Sequence, residues 1–541
     1  MKKILLVILI GMSLAVVFSS CGNAGGGGTA EVRQVSATAE GPFGKYEPEI
    51  NLSTVILWYN WVTLPENDTV EDNAWTRAYK DELGIVGEVL RTIDADKYTE
   101  QTNLMIASDD LPDLFFVTRN QFEQLIAAGR IEDLTDSFNN YASDFVKTEI
   151  LGDTNKIGRE IVSKNGRLYG LPFNLDYTDF TNVLYLREDW MNELNLSDPK
   201  SLDDVENIAR LFVEEKGAVY GISFSKDFIN PGFWNMFHSY PGIWLKDNSG
   251  ELYSGDYTEE RKAGVQKLVD WYKEGLIPKD FGVIDEQRRQ EDLISDKCGI
   301  MFAGLWDSVY LQSMIDADPT VDWKCVPIPS ADGKTAKIGA DPVGMQQIYV
   351  IKKGYEYPEA AVKIMNLFEK YVFDPEFATL ETQYKYNYDE ENNMVYLASF
   401  IYAEPVRKNY HLFKAVDGMY ASGDTSSLNP EQELIYTQMK NYEEGETAQW
   451  YVTMWYGPKS PCAVIDYYLN NDLYQVNEFY GLTTQAGIEK GPTIYKAWEE
   501  LLTQIIMGEK DITDYNAFAE NVKGLGMDEI TREVNEWYKN K

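Results

Sequence analysis

A chain of 541 residues, 44% hydrophobic and 13% aromatic, is too long for one hydrophobic core and rich enough in apolar side chains to fill two. With 49 basic against 87 acidic residues its formal charge is −38, which repels phosphate backbones and argues against nucleic acid as a partner. A polyanionic ligand or an anionic bilayer surface would need a local basic patch, and none stands out in the linear order; so much acid reads first as a solvated, aggregation-resistant surface.

The chain begins Met1-Lys2-Lys3, continues as an apolar run from Ile4 to Phe18, and then reads Ser19-Ser20-Cys21. A basic start, an apolar core and small residues before a cleavage point predict a secretory signal over 1–20. The run is shorter than the about 20 residues that a membrane-crossing helix needs, so a permanent transmembrane anchor is the poorer reading. Cys21 resembles the acylated cysteine of a lipobox, with Phe18 standing where leucine is usual. The Gly-rich stretch GNAGGGG (Gly22–Gly28) and the polar residues after it predict a flexible tether over 21–47. The expected location is therefore the extracytoplasmic face of the cell membrane, held by a palmitate-type lipid anchor on Cys21 alone.

From Ser53 onward, short β-rich runs alternate with amphipathic helices, the pattern of a mixed or parallel α/β sheet. Thr54–Tyr59 reads as the first strand. Asp96–Ala107 reads as a helix with Tyr98, Leu104, Met105 and Ile106 as its apolar stripe. Leu114–Val117 reads as a buried strand after a Pro-marked turn, and Phe122–Ala128 as a helix ended by Gly129. Gly299–Ala303 and Gln347–Ile351 read as core strands, and Pro358–Lys370 as a helix with proline near its first turn.

Motifs for covalent or metal chemistry are missing. Cys298, Cys325 and Cys462 are widely spaced and lack any CxxC pattern, so neither a disulfide framework nor a zinc site is indicated, although one bridged pair stays open. The two histidines, His238 and His411, sit in no hydrolase motif. No DxDxDG-like loop is present, so no metal and no cofactor is expected.

Seven segments together resemble the family 1 extracellular solute-binding proteins, relatives of maltose-binding protein, and within them the large lipoproteins of complex-carbohydrate importers. They are DLPDLFF (Asp110–Phe116), RLYGLPFN (Arg167–Asn174), LYLREDWMNELNL (Leu184–Leu196), LVDWYKEGLIPKDF (Leu268–Phe281), GIMFAGLW (Gly299–Trp306), YPEAAVKIMNLF (Tyr357–Phe368) and DEITREVNEWY (Asp528–Tyr538). The resemblance implies a two-lobed α/β fold of the type II periplasmic-binding-protein kind, with a hinge crossed more than once. Lobe 1 is expected over 48–172 plus 340–405 and lobe 2 over 173–339 plus 406–541. The crossings fall near Leu171–Tyr177, near Gly339–Gly344 and around 400–415, and the extra length over a minimal member is placed in the second lobe, between Tyr384 and Tyr480.

A sugar presents hydroxyls around flat C–H patches, so its site needs stacking aromatics edged by planar polar groups, and 13 Trp and 36 Tyr are ample. Trp306 leads the candidates, because the family places a stacking tryptophan after this strand. Asp307 either accepts from a sugar hydroxyl or caps the following helix. Among Trp58, Asn60 and Trp61, at the end of the first strand, one is expected to touch ligand. Asn120 matches a polar contact position. Asn174, Asp176 and Tyr177 lie on the first crossing and serve hinge, ligand or both. Phe233 and Trp234 follow a loop whose family counterpart carries stacking aromatics; Trp455 and Tyr456 precede Gly457-Pro458, and Asp341 is a weaker candidate. Trp190, Trp271 and Trp537, with Glu533 and Asn535, fall in amphipathic helices and read as packing residues.

The resemblance implies a non-enzymatic, monomeric receptor that captures an oligosaccharide, or another small polar solute, and delivers it to the transmembrane subunits of an ABC permease. Two other readings remain: an exported glycoside-processing enzyme, which needs two carboxylates facing across a cleft, and a surface sensor or adhesin on the same fold.

Overall fold

The computed structural model describes residues 37–59, 62–152, 156–173, 177–226, 231–342, 347–389, 393–426 and 428–541. Cys21, Asn60, Trp61, Asn174 and Asp176 lie outside the described residues. The first sheet has five strands in the order Ile85–Asp94, Ile50–Trp58, Leu114–Thr118, Gln347–Ile351 and Leu171–Pro172. The first three run parallel, and Gln347–Ile351 runs antiparallel to both its neighbours. Runs such as Leu-Phe-Phe-Val-Thr and Gln-Ile-Tyr-Val-Ile suit strands buried between helical layers.

Helices follow local signals. Thr118 and Gln121 form a reciprocal capping box that starts Arg119–Ala127, and Gly129, at φ 64°, helps the chain leave it. Pro358 caps Glu359–Val372, whose nearly complete burial explains its apolar sequence. The helix expected from Asp96 is Tyr98–Ser108, entered through a tight turn at Ala95–Lys97. Its buried side chains are Tyr98, Thr102 and Met105, while Leu104 faces solvent. The i, i+4, i+7 spacing of those three selects one face, and Leu104 falls off it.

The second sheet is antiparallel throughout, with Val183–Arg187 flanked by Ile300–Ala303 and Trp323–Val326. All five residues of its central strand are buried. The hydrophobic core around the first sheet holds residues up to Leu171 and again from Ile348 to Ala403; the core around the second runs from Val183 to Ile338 and resumes at Trp450. The chain therefore changes core between Leu171 and Val183, between Ile338 and Ile348, after Ala403, and again on either side of Tyr480.

The tyrosine-rich stretch from Tyr384 divides instead of lying wholly in the second lobe. Tyr386, Val395, Phe400 and Ala403 pack into the first core. The helices Lys408–Ser422, Pro430–Glu443, Trp450–Tyr456 and Pro461–Asn470 form a separate helical core that closes on Leu305. Two elements late in the chain also reach the first lobe: Tyr480 is buried in its core and Trp537 packs against it. Arg119 donates to the carbonyls of Tyr480 and Gly481, tying the start of a lobe 1 helix to this late segment. Cys298, Cys325 and Cys462 are buried, and none of them is in a disulfide. No helix among the described residues is long and apolar enough to cross a membrane.

Candidate functional site

Strand Ile300–Ala303 ends at Gly304, and a helical turn, Leu305–Leu311, carries Trp306 out of the sheet. The strand is antiparallel, so this geometry owes nothing to a parallel β–α connection; the turn is set by Asp307. One oxygen of the Asp307 carboxylate accepts from the Gly304 N–H at 2.7 Å, and the other lies 3.7 Å from Arg289. Burial raises the Asp307 pKa, with Arg289 and the Gly304 N–H pulling against it. Of the two roles open to Asp307, the structure displays the cap.

Trp306 is 36% exposed, and its ring stands edge-on to Trp455, centroids 4.9 Å apart and planes at 82°. Trp455 is itself 4% exposed and meets Tyr451 edge-on at 4.8 Å. A large flat ring is thus offered to solvent while a second ring holds it upright.

Behind this wall a buried hydrogen-bond chain runs to the first crossing. The Tyr456 hydroxyl donates to Asn409 Oδ1 at 2.7 Å, and Asn409 Nδ2 donates to Asp179 Oδ2 at 2.8 Å. All three side chains are buried, where satisfied polar links specify one geometry. Next to Asp179, Tyr177 packs edge-on against Tyr474 at 5.2 Å and accepts a 3.3 Å hydrogen bond from Arg407 Nη2. Arg407 has φ 58°, a left-handed conformation that costs a non-glycine residue on the order of 1 kcal/mol or more. It lets the chain turn from Pro405 into the helix starting at Lys408.

That third crossing is densely charged. Lys408 lies 3.2 Å from Glu404 and 3.3 Å from Glu431, and the Tyr402 hydroxyl donates to Glu404. Burial disfavours the Lys408 charge, but Glu404 and Glu431 outweigh it and hold its pKa well above the ordinary value. Burial also raises the Glu431 pKa, against the pull of Lys408. A cavity of about 900 Å³ opens here, lined from the first lobe by Phe145, Lys156 and Phe373, from the crossings by Tyr177 and Arg407, and beyond them by His411.

The other candidates divide. Phe233 and Trp234 are 0% exposed. The short helix Pro231–Asn235 turns them inward, where Phe233 meets Phe224, Trp271 and Phe302, and Trp234 lies under the Arg261 guanidinium at 4.0 Å. Trp455 and Tyr456 are likewise buried, the first edge-on to Trp306 and the second hydrogen-bonded to Asn409. Trp58 ends its strand half-buried against the first core. Asn120 is exposed, on a smaller cavity of about 250 Å³ shared with Asp341 and Trp244. Trp190 and Trp271 are buried in the second core, and Asn535 bridges the backbone of Leu252, so these do pack.

Residues that sequence reasoning passed over are Asp179, Asn409, Arg407 and a ladder of tyrosines in the first lobe. Tyr388, Tyr396 and Tyr402 follow one another as tilted ring pairs with centroids 5.4 and 5.0 Å apart, and Tyr402 meets Phe173 edge-on at 4.8 Å. The density of tyrosine after Tyr384 was the available signal. Among the described residues no group of three or more His, Cys, Asp or Glu is placed to hold a metal ion.

Comparison with known proteins agrees with this architecture. The model of the bacterial extracellular solute-binding protein family matches residues 68–376, more than half of the chain. Over 472 residues the chain is 22% identical to lipoprotein LipO of Bacillus subtilis, covering 82% of this chain and 84% of that one. Over 222 residues it is 25% identical to the polygalacturonan/rhamnogalacturonan-binding protein YtcQ of the same organism, covering 39% of this chain and only 43% of YtcQ. Among solved structures, alginate-binding protein AlgQ2 superposes with a TM-score of 0.61 at 16% identity, covering 90% of this chain and 98% of AlgQ2. A solute-binding protein from Bifidobacterium longum infantis, described as binding HMO, gives 0.62 at 14% identity, covering 91% and 98%. FusA of S. pneumoniae, solved with kestose, gives 0.59 at 14%, covering 91% and 99%. At such identities the structures speak for fold, and the fold is the two-lobed type II arrangement. The chain belongs to the bacterial extracellular solute-binding protein family.

Proposed function

We propose that this chain is the substrate-binding lipoprotein of an ABC importer, capturing an oligosaccharide between two closing lobes and handing it to the permease. The observation that carries the reading is Trp306, a half-exposed ring braced edge-on by a buried one at the end of a lobe 2 strand. Sugar C–H faces stack on such a ring, and the chain passes repeatedly between the two cores, which suits a hinge for lobe closure. The ligand acts by binding the closed state better than the open one. Acylation of Cys21 and the Gly-rich tether keep the receptor near its membrane partner, raising its effective concentration there.

A thermal-shift screen against a glycan panel tests the reading. A ligand at 100 times its Kd stabilises the protein by about 2.7 kcal/mol, and X-ray scattering should show the particle contracting. If no glycan raises the melting temperature, the receptor reading fails; if oligosaccharides are hydrolysed and single Asp or Glu changes abolish that, the chain is an enzyme. The anchor is tested separately: Cys21→Ser should move the protein from membrane to medium.

A further inference from the structure

Relatives are named for both acidic and neutral glycans, so their names do not choose a ligand class for this chain. Its arginines do. In a chain of charge −38, carboxylates are available almost everywhere, and each described arginine forms an ion pair with one except Arg119, Arg159, Arg261 and Arg407. Arg261 has its own explanation, since its guanidinium covers the Trp234 ring. The other three all line cavities between the lobes.

Arg119 is occupied by the carbonyls of Tyr480 and Gly481, and Arg159 donates to the Leu151 carbonyl. Arg407 is part-exposed and meets one neutral side chain, Tyr177, donating to its hydroxyl at 3.3 Å with the guanidinium 6.0 Å from the ring centroid, and its backbone is held in a left-handed conformation. Lys156, exposed and without a described carboxylate partner, lines the same cavity of about 900 Å³ and continues into a neighbouring one of about 700 Å³ with Arg159. Of the acids on the larger cavity, Glu431 is already engaged by Lys408, which leaves Glu149. Tyr177, Phe145 and Phe373 supply rings beside the two cations.

A planar guanidinium matches a carboxylate with two parallel hydrogen bonds, and Arg407, part-exposed on the cavity, is engaged by no carboxylate among the described residues. We propose that the oligosaccharide is a uronate, its carboxylates held by Arg407 and Lys156 in the cavity at the crossings. This rests on the receptor reading above.

The test compares a short oligogalacturonate with its fully methyl-esterified form, which keeps the backbone and removes the charge. Titration calorimetry should show the acid binding and the ester binding on the order of tenfold more weakly or worse, the loss of a charge-assisted pair. Affinity for the acid should fall steeply with salt. Arg407→Gln and Lys156→Gln should each weaken the acid and spare a neutral glycan; Lys156 is exposed, so its variant folds even if Arg407→Gln does not. Equal affinity for acid and ester, or unchanged affinity in both variants, overturns the proposal. So does a neutral glycan that binds while the uronate does not, an outcome that leaves the receptor reading standing. Failure of every glycan overturns both.

Discussion

The rings of Trp306 and Trp455 meet edge to face, 4.9 Å between centroids, one half-exposed and the other buried. Under the proposed function the exposed ring would meet the solute and the buried one would support it, which makes the two tryptophans experimentally distinct. Trp306→Ala should abolish the glycan-induced thermal shift while moving the unliganded melting temperature little. Trp455→Ala should cost about 3–5 kcal/mol of stability in the absence of any ligand, the usual penalty for emptying a buried aromatic site. Parallel melts of both variants, with and without glycan, check this; a collapse of unliganded Trp306→Ala would reassign that residue to the core.

Phe233→Ala tests the buried placement of that ring. Fully buried among Phe224, Trp271 and Phe302, it should lose about 3–5 kcal/mol by denaturant unfolding. At a temperature where the variant is still folded, glycan affinity should match the parent chain.

Asn409 joins the third crossing to the first through Asp179 and to the helical core through Tyr456. Asn409→Ala removes both hydrogen bonds inside a buried network, at a cost of about 2–3 kcal/mol. The crossings should also loosen. Hydrogen exchange is expected to rise in the segment around Thr178–Phe180 and in the first turn of helix Lys408–Ser422.

Glu369 offers a pH-dependent signature. It is fully buried on helix Glu359–Val372, neither carboxylate oxygen has a hydrogen-bond partner, and burial, with Glu404, Asp374 and Glu431 nearby, raises its pKa well above 4.5. The folded state therefore holds a proton that the unfolded chain releases. This group's contribution to stability is fully present below about pH 4.5 and declines as pH rises toward the folded pKa. Glu369→Gln, which cannot ionise, should raise stability by about 1–3 kcal/mol at neutral pH. The gain should shrink toward pH 4.5 in melts across that range. A constant difference at all pH values would show that ionisation is not the cause.

The strands Leu114–Thr118, Ile300–Ala303 and Gln347–Ile351 and the helix Glu359–Val372 were legible because apolar runs and Pro358 act over a few residues. The family segments were legible for the same reason. Their order along the chain implied two lobes and the position of Trp306.

What the sequence by itself determined is thus the fold class, the family and one aromatic residue at the head of a turn. Only the tertiary structure decided which aromatics face solvent: Phe233 and Trp306 both follow strands or loops rich in glycine, yet one turns inward and the other out. It also decided the partners of the crossings, since Arg407 and Asn409 meet Tyr177 and Asp179 across 230 positions. Local propensity acts over a turn of helix or a pair of strands. Burial and hydrogen bonding between segments so far apart depend on how both lobes pack, and no short window of residues contains that information.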